Sequence, residues 1–229
     1  MIPWKGVDEF LKWYEGIAQL KVSWAKPLIK LRASESKGGF VIRGERLYRR
    51  KPQPVTLFVC DCVPEPEGGR VNIYIGPRDL KCRRKSVIFF YSTDDGFLEP
   101  NLSVEVRQVE DLELVREVQM SSWGFYIPPP PGRVTLLALD ERPVGCVYIN
   151  PKNGNLDYGV HVIKERWRQR IGTRLLVESA KFLKERGLDL MSVVRVLGRW
   201  SDRRALSFYR ANKPMVELTA CELEAAKGL

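Results

Sequence analysis

This sequence contains little histidine, few closely spaced cysteines and no long apolar run. The chain of 229 residues contains one histidine and five cysteines. Zinc sites usually combine paired cysteines at short spacings with histidines, so we predict no metal. No apolar run approaches the ~18 residues of a membrane-spanning helix, which predicts no membrane partner. The N-terminal residues also lack the apolar stretch of a signal peptide, so we predict a cytoplasmic protein.

Two further scarcities concern the amide side chains and the thiols. Asparagine and glutamine are rare while arginine is common, which weakly favours a thermophilic source. Cys60 and Cys62 are separated by one residue within an apolar run. We interpret them as buried reduced thiols on one face of a strand.

The chain carries an excess of positive charge. The formal net charge is +10, spread over both halves of the chain without a basic tail. Such a balance suits a polyanionic partner, either a nucleic acid or the phosphates of a nucleotide cofactor. A solvated basic surface is the alternative interpretation.

The N-terminal half has the pattern of a small α+β domain, which we place at residues 1–102. Apolar residues recur at spacings of three and four over residues 4–20, which predicts a helix. Strand-like apolar runs follow at 55–63, 71–75 and 86–91, separated by proline and glycine clusters. The small polar stretch 34–39 predicts a loop. This half contains no catalytic motif that we can identify.

From about residue 103 the pattern predicts the order β-α-β-β-β-α-β-α-β. The first helix opens at Glu110 and Asp111, where acidic residues suit its positive end, and runs to about Met120. The prolines 128–131 can neither continue a helix nor donate to a sheet, so they predict a stiff loop. The later predicted elements are strands at 134–138, 144–149 and 156–163, a helix at 169–186, a strand at 188–196, a helix at 202–211 and a strand at 215–220.

One basic segment carries candidate chemistry, because it joins a predicted strand to a predicted helix. The N–H groups of a helix's first turn and its partial positive charge suit a phosphate. Gly172 leaves room for a ligand to approach the backbone, and the arginines can bind phosphate oxygens. The alternative is an exposed basic helix start with a glycine needed for packing. The segment consists of Arg168, Gln169, Arg170, Ile171, Gly172, Thr173 and Arg174.

This order of elements, with a phosphate turn at the second long helix, resembles the GNAT superfamily of acetyltransferases. That family uses Q/R-x-x-G-x-G/A at the turn, and here residues 167–172 read Trp-Arg-Gln-Arg-Ile-Gly. Arg170 stands where the first glycine is usual, and the leading Arg168 is one place late. Residues 202–209, Asp-Arg-Arg-Ala-Leu-Ser-Phe-Tyr, match the family's N-x-x-A-x-x-x-Y except for Asp202. Residues 213–214 also depart, with Lys-Pro in place of the usual Gly-Phe.

The resemblance implies an α+β fold with a mixed sheet, a GNAT-like domain at 103–229 preceded by the smaller N-terminal domain. It implies an N-acetyltransferase that uses acetyl-CoA as acyl donor and a primary amine as acceptor. The backbone of Val160 and Val162 would pair with the pantetheine arm, and a backbone N–H there would stabilise the oxyanion. Tyr209 would be the general acid. The other implied cofactor contacts are the turn residues 168–174 and Asp202.

The general base is open among His161, Asp157, Glu165 and water, because His161 can point away from the site. The loop from Trp123 to the prolines is predicted to flank the acceptor. The acceptor itself can be a protein or a small molecule, and the chain a monomer or homodimer. The N-terminal half is either a degenerate second GNAT-like domain or an unrelated α+β module.

Two rival functions remain at this point. The departures at Arg170 and Asp202 are compatible with a GNAT-like protein that binds acyl-CoA without catalysis. The net charge and the arginines around 164–174 and 195–210 are compatible with a nucleic-acid-binding protein, whose affinity would fall steeply with salt.

Overall fold

The computed structural model describes residues 1–224, which fall into two compact units. Unit 1 comprises Met1–Phe89, Arg195–Arg203 and the chain from Val216, and unit 2 comprises Phe90–Val194 and Arg204–Met215. The predicted division into domains 1–102 and 103–229 stays a prediction, and residues 225–229 of it lie outside the described part.

The helices and strands follow one another along the chain in a mixed α+β pattern. The helices are α1 (Val7–Ala18), α2 (Leu112–Trp123), α3 (Ile171–Lys184) and α4 (Asp202–Ala211), with a short 3₁₀ helix at Lys164–Arg166. The strands are β1 (Leu28–Ser36), β2 (Gly39–Tyr48), β3 (Lys51–Cys60), β4 (Val71–Gly76), β5 (Arg83–Ser92), β6 (Glu105–Val109), β7 (Val134–Asp140), β8 (Arg142–Ile149), β9 (Leu156–Val162), β10 (Leu190–Val196) and β11 (Val216–Glu222).

In unit 1 the strands pair in the order β1-β2-β3-β4-β11-β5. β1, β2 and β3 form an antiparallel meander, β4 runs parallel to β3, and β11 runs antiparallel to β4. The predicted N-terminal helix is present as α1, which buries Phe10, Tyr14 and Ile17 at spacings of three and four.

The loop predicted at 34–39 is wrong over most of its length, because β1 extends through Ser36 and β2 begins at Gly39. β1 pairs with β2 on one side only and most of its side chains are exposed or half-buried. Such an edge strand needs no apolar face, since its stability comes from backbone hydrogen bonds to its neighbour. A search for apolar periodicity therefore passes over it.

The interpretation of Cys60 and Cys62 as reduced thiols is wrong, because they form a disulfide with each other. A second disulfide joins Cys82 to Cys221, while Cys146 is a buried free thiol. Disulfides are uncommon in the cytoplasm outside hyperthermophiles. The cytoplasmic location and the thermophilic source both stay predictions.

In unit 2 the strands β6-β7-β8-β9 form an antiparallel sheet. α2 and α3 pack against β8 and β9. Asp111 is the N-cap of α2, where its carboxylate accepts a hydrogen bond from the N–H of Glu113. From β6 to β11 the predicted order β-α-β-β-β-α-β-α-β is confirmed, as is the mixed α+β class.

Among residues 1–224, no helix combines the length and apolar character needed to cross a bilayer.

Candidate active site

A bulge interrupts β9, the last strand of the unit 2 sheet. Val147 pairs with Val160 and Tyr148 pairs with Asp157, so Tyr158 and Gly159 are extra residues on the β9 side. Both have positive φ, 62° at Tyr158 and 79° at Gly159. A bulge bends its strand and redirects the groups that follow, here the backbone of Val160.

The hydroxyl of Tyr209 lies at this bulge. Tyr209 is a buried residue of α4, and its hydroxyl accepts a hydrogen bond from the Val160 N–H at 3.1 Å. Tyr91 fixes the backbone of the same residue, because its hydroxyl donates to the Tyr209 carbonyl at 2.8 Å. A Cβ on Gly159 would lie 2.5 Å from the Tyr209 oxygen, so only glycine permits this approach.

Two residues further along β9, the carbonyl of Val162 has a side-chain partner as well. The indole Nε1 of Trp167 donates to it at 2.9 Å. The residues that alternate with these two face β8, since His161 pairs with Cys146 and Ile163 donates to the Val144 carbonyl at 3.0 Å. Because alternate residues of a strand direct their backbone groups the same way, the Val160 N–H and the Val162 carbonyl share the outer edge of β9.

β9 and β10 separate beside this edge. They meet at one parallel bridge between Asn155 and Ser192, where the Ser192 N–H donates to the Gly154 carbonyl at 3.0 Å. Within residues 1–224, no ladder joins β9 and β10 beyond this bridge. The edge at residues 160–162 is therefore left without a neighbouring strand.

The basic turn before α3 is held by backbone contacts from the segment 99–101. Arg168 and Arg170 have positive φ, and Arg170 is the N-cap of α3, with no hydrogen bond from its side chain to the first turn of the helix. Asn101 donates its side-chain amide to the Gln169 carbonyl at 2.8 Å, and the Arg170 guanidinium donates to the Glu99 carbonyl at 3.2 Å.

This turn presents positive charge and helix N–H groups together. The side chains of Arg168, Gln169 and Arg170 are exposed. The hydrogen bond from Arg174 to the Arg170 carbonyl closes the first turn of α3, so the N–H groups of residues 171–173 have no acceptor within the helix. These groups can hold an anion.

Three of the predicted turn residues have structural partners. A Cβ on Gly172 would lie 2.8 Å from the ring of Phe208, so this glycine makes room for packing, as the second interpretation held. The hydroxyl of buried Thr173 donates to the Asn212 side chain at 3.1 Å. Arg174 forms an ion pair with Glu178 at 3.2 Å, which offsets its charge. Their contact with a cofactor stays a prediction.

Asp202 belongs to unit 1, where its carboxylate binds Arg195 and the loop before α4. Arg195 donates to it at 2.7 Å, and the N–H groups of Gly198 and Arg199 donate at 2.7 and 2.9 Å. Burial raises the pKa of this carboxyl, but the hydrogen bonds from Arg195, Arg199 and Gly198 outweigh it and hold the pKa below its usual value. Its predicted contact with a cofactor stays a prediction.

His161 and Asp157, two of the candidate bases, are both buried. The ring of His161 packs edge-on against Trp123 with centroids 4.0 Å apart, and its Nε2 lies 3.1 Å from the Tyr158 carbonyl oxygen. Asp157 accepts hydrogen bonds from Arg133 at 2.7 Å and from the Asn155 amide at 2.7 Å. Burial raises the pKa of Asp157 in spite of the Arg133 guanidinium. The third candidate, Glu165, is exposed on the 3₁₀ helix.

Sequence reasoning missed Trp167 and Arg133. Trp167 stands inside a run of charged residues between β9 and α3, and an aromatic in such a run is a signal that could have been noticed. Arg133 is 24 residues from Asp157, and no local pattern reveals a contact over that separation. The described residues also include no group of three or more His, Cys, Asp or Glu side chains able to hold a metal ion.

Comparisons with known proteins bear on this geometry. Residues 101–212 match the model of the Acetyltransferase (GNAT) family. No curated protein sequence matches the chain.

Among solved structures, a GCN5-related N-acetyltransferase from Kribbella flavida is 12% identical with a TM-score of 0.48, covering 97% of this chain and 98% of its own. The ribosomal-protein-S18-alanine N-acetyltransferase from Escherichia coli is 14% identical with a TM-score of 0.38, over 55% of this chain and 98% of its own. An aminoglycoside acetyltransferase from an uncultured soil metagenomic sample is 20% identical with a TM-score of 0.39, over 57% and 97%.

The family model leaves the N-terminal half unassigned, and it spans β6 to α4, the elements that carry the bulge, the basic turn and Tyr209. Residues 101–212 are therefore an acetyltransferase domain of the GNAT family.

Proposed function

We propose that this domain transfers the acetyl group of acetyl-CoA to a primary amine, by direct attack of the amine while both substrates are bound. The observation that carries the proposal is the meeting of the Val160 N–H and the Tyr209 hydroxyl at the β9 bulge, 3.1 Å apart. One is a backbone donor and the other can give a proton, and both lie at an open strand edge.

Two features would bind the acyl donor: the outer edge of β9 and the basic turn before α3. The outer edge of β9 offers a carbonyl at Val162, which an amide N–H of the donor's arm can use as a neighbouring strand would, and an N–H at Val160, which is left for the thioester carbonyl. At the end of that edge, the N–H groups of residues 171–173 and the exposed Arg168 and Arg170 suit a pyrophosphate. The edge and the turn together would therefore suit an elongated donor with phosphates at one end.

The chemistry needs one group to stabilise negative charge and one to give a proton. The Val160 N–H can hold the oxygen of the thioester carbonyl as the amine adds to its carbon and negative charge develops there. When the carbon–sulfur bond breaks, CoA leaves as a thiolate. Tyr209 gives its proton to that sulfur, since its hydroxyl lies beside the same N–H.

The amine must arrive neutral and lose a proton after it attacks. Asp157 is a poor acceptor, because both of its oxygens already bind Arg133 and Asn155. His161 is our candidate base, with water as the alternative. The loop that follows Trp123 is our candidate boundary of the acceptor site. It is tied to the sheet because Tyr148 donates to the Ile127 carbonyl at 3.1 Å.

The first test is thermal unfolding with and without acetyl-CoA. A donor at about 100 times its dissociation constant should stabilise the protein by about 2.7 kcal/mol. For a chain of this length that is a rise in Tm on the order of 5–10 °C. AMP at the same concentration is the control and should give a much smaller rise. No rise at millimolar acetyl-CoA, in protein shown to be free of bound CoA, would refute the proposal.

The second test is Tyr209→Phe, assayed by release of CoA thiol with a panel of primary amines. Loss of the general acid should lower kcat about 100-fold or more, while the Kd for acetyl-CoA changes little. Tyr91→Phe is the matched control, because it removes the hydroxyl that holds the Tyr209 backbone and should cost much less. Full turnover in Tyr209→Phe would remove the assigned role.

Two alternative functions can be distinguished from the proposed one. The experiments above test the first, and a nucleic-acid binding titration tests the second. A protein that binds acyl-CoA without catalysis would show the rise in Tm but no thiol release with any amine. A nucleic-acid-binding protein would bind DNA or RNA with an affinity that falls steeply with salt. Binding curves that are flat in salt would exclude it.

A further inference from the structure

The indole of Trp167 occupies a backbone acceptor at the edge where the acyl donor is proposed to bind. Its Nε1 donates to the Val162 carbonyl at 2.9 Å, on the same outer edge of β9 as the Val160 N–H. Both backbone groups that an incoming acyl donor would use are thus satisfied by side chains of the protein itself.

Trp167 reaches this position from a short and accessible segment. It follows the 3₁₀ helix Lys164–Arg166 directly, has an extended backbone, and is half-buried instead of belonging to the core. The guanidinium of Arg204 lies over its ring at 3.5 Å. The indole is therefore held by one hydrogen bond and one stacking contact, both of which can exchange for others at modest cost.

We propose that Trp167 is a displaceable cap of the donor-binding edge. Its indole N–H satisfies the Val162 carbonyl, and it leaves that carbonyl when an amide N–H of the donor's pantetheine arm takes it. The inference rests on the proposed function, because it requires β9 to be the edge that binds the arm. Trp167 then lowers the affinity for any donor that carries a pantetheine arm.

The cap also protects the edge. A strand edge with an open N–H and carbonyl is a template for pairing with another chain. Tyr209 and Trp167 cover one backbone group each, so the edge is satisfied until a donor displaces them.

The test is calorimetric binding of acetyl-CoA to Trp167→Phe, which keeps an aromatic ring and removes the competing donor. We expect its Kd to fall about three- to ten-fold relative to the unmodified protein, since one exchanged hydrogen bond has about that net effect. Adenosine 3′,5′-bisphosphate, which lacks the pantetheine arm, should bind both proteins equally. Trp200→Phe, at an exposed indole, is the matched control and should change neither Kd.

A second measurement needs no variant. The unmodified protein has six tryptophans, and one indole N–H should exchange faster with solvent when acetyl-CoA is added. Unchanged or weaker acetyl-CoA binding by folded Trp167→Phe, or no indole that becomes less protected, would overturn the cap while leaving the proposed function intact. Absence of acetyl-CoA binding in every variant would instead overturn the proposed function and this inference with it.

Discussion

In both units an antiparallel meander is followed by a crossover connection to a parallel strand. The two crossovers differ in whether the facing backbone groups of the strands are paired. In unit 1, β3 and β4 pair continuously from Val55 with Val71 to Val59 with Ile75, and residues 61–70 connect them without a helix. In unit 2, β9 and β10 touch at one bridge, and the basic turn and α3 lie between them.

The difference teaches that the site in unit 2 comes from interrupted pairing. β3 and β4 use their facing backbone groups on each other, so that crossover keeps none for a ligand. β9 keeps the Val160 N–H and the Val162 carbonyl at its outer edge, because the bridge at Asn155 is not extended. The connection that opens the strands also brings a helix N-terminus to the same place.

The largest change in stability is expected at the β9 bulge, from Gly159→Ala, which tests the difference between the two crossovers. The added Cβ would lie 2.5 Å from the Tyr209 oxygen in a backbone with φ 79°, so we expect a loss of about 3 kcal/mol in unfolding free energy. Gly69→Ala is the control in the closed crossover, because its φ is 69° but nothing lies within 4 Å of the new Cβ. Urea titration should show a cost of about 1 kcal/mol there. Equal costs would mean that the bulge is not tightly held.

A second variant tests whether α3 is seated on α4 through its glycine. Gly172→Ala would push a Cβ to 2.8 Å from the Phe208 ring, and we expect a loss of about 2 kcal/mol in unfolding free energy. Adding Phe208→Leu to Gly172→Ala should recover part of it, measured by the same titration. No recovery in the double variant would argue that the backbone of α3, and not the ring, resists the change.

The third prediction asks whether Asp202 serves unit 1 or the cofactor. The folded-state pKa of Asp202 is lowered, so its contribution to stability is present above the unfolded pKa of about 4 and is lost as pH falls through the folded pKa. Asp202→Asn should therefore cost about 1.5 kcal/mol at pH 7, and progressively less as pH falls below about 4 and through the lowered folded-state pKa. Denaturant titrations at several pH values measure this. A weakened Kd for acetyl-CoA in the same variant would instead support the predicted cofactor contact.

The smallest expected effect concerns the exposed arginines of the turn between β9 and α3. Arg168→Gln should weaken acetyl-CoA binding about three- to five-fold at low salt, and less at high salt, because the exposed guanidinium acts on phosphates through screened attraction. Arg83→Gln, at an exposed arginine of unit 1 paired with Glu224, should leave the Kd unchanged. A matching loss in both variants would point to general net charge instead of a local site.

Sequence patterns predicted unit 2 better than unit 1. The helix start at Asp111, the hairpin of β7 and β8 and the basic start of α3 follow local rules of capping and apolar periodicity. β1 escaped prediction because an edge strand needs little apolar pattern.

The site was predictable only in part, because local sequence patterns reveal residue types but not tertiary contacts. The residue types at 160–162, 168–174 and 209 could be selected by their resemblance to a family. The bond between Trp167 and Val162, and the seating of Gly172 on Phe208, depend on a bulge and a helix crossing that no local pattern encodes.

The disulfide between Cys82 and Cys221 has a consequence for how the chain responds to cutting. The two residues are 139 apart, so the bond closes a covalent ring that contains the whole family segment 101–212. A single protease cut inside that ring leaves one connected molecule, whose two pieces separate only when a reductant is added. Nicked and intact protein should therefore co-migrate under non-reducing denaturing conditions, with fragments emerging after reduction.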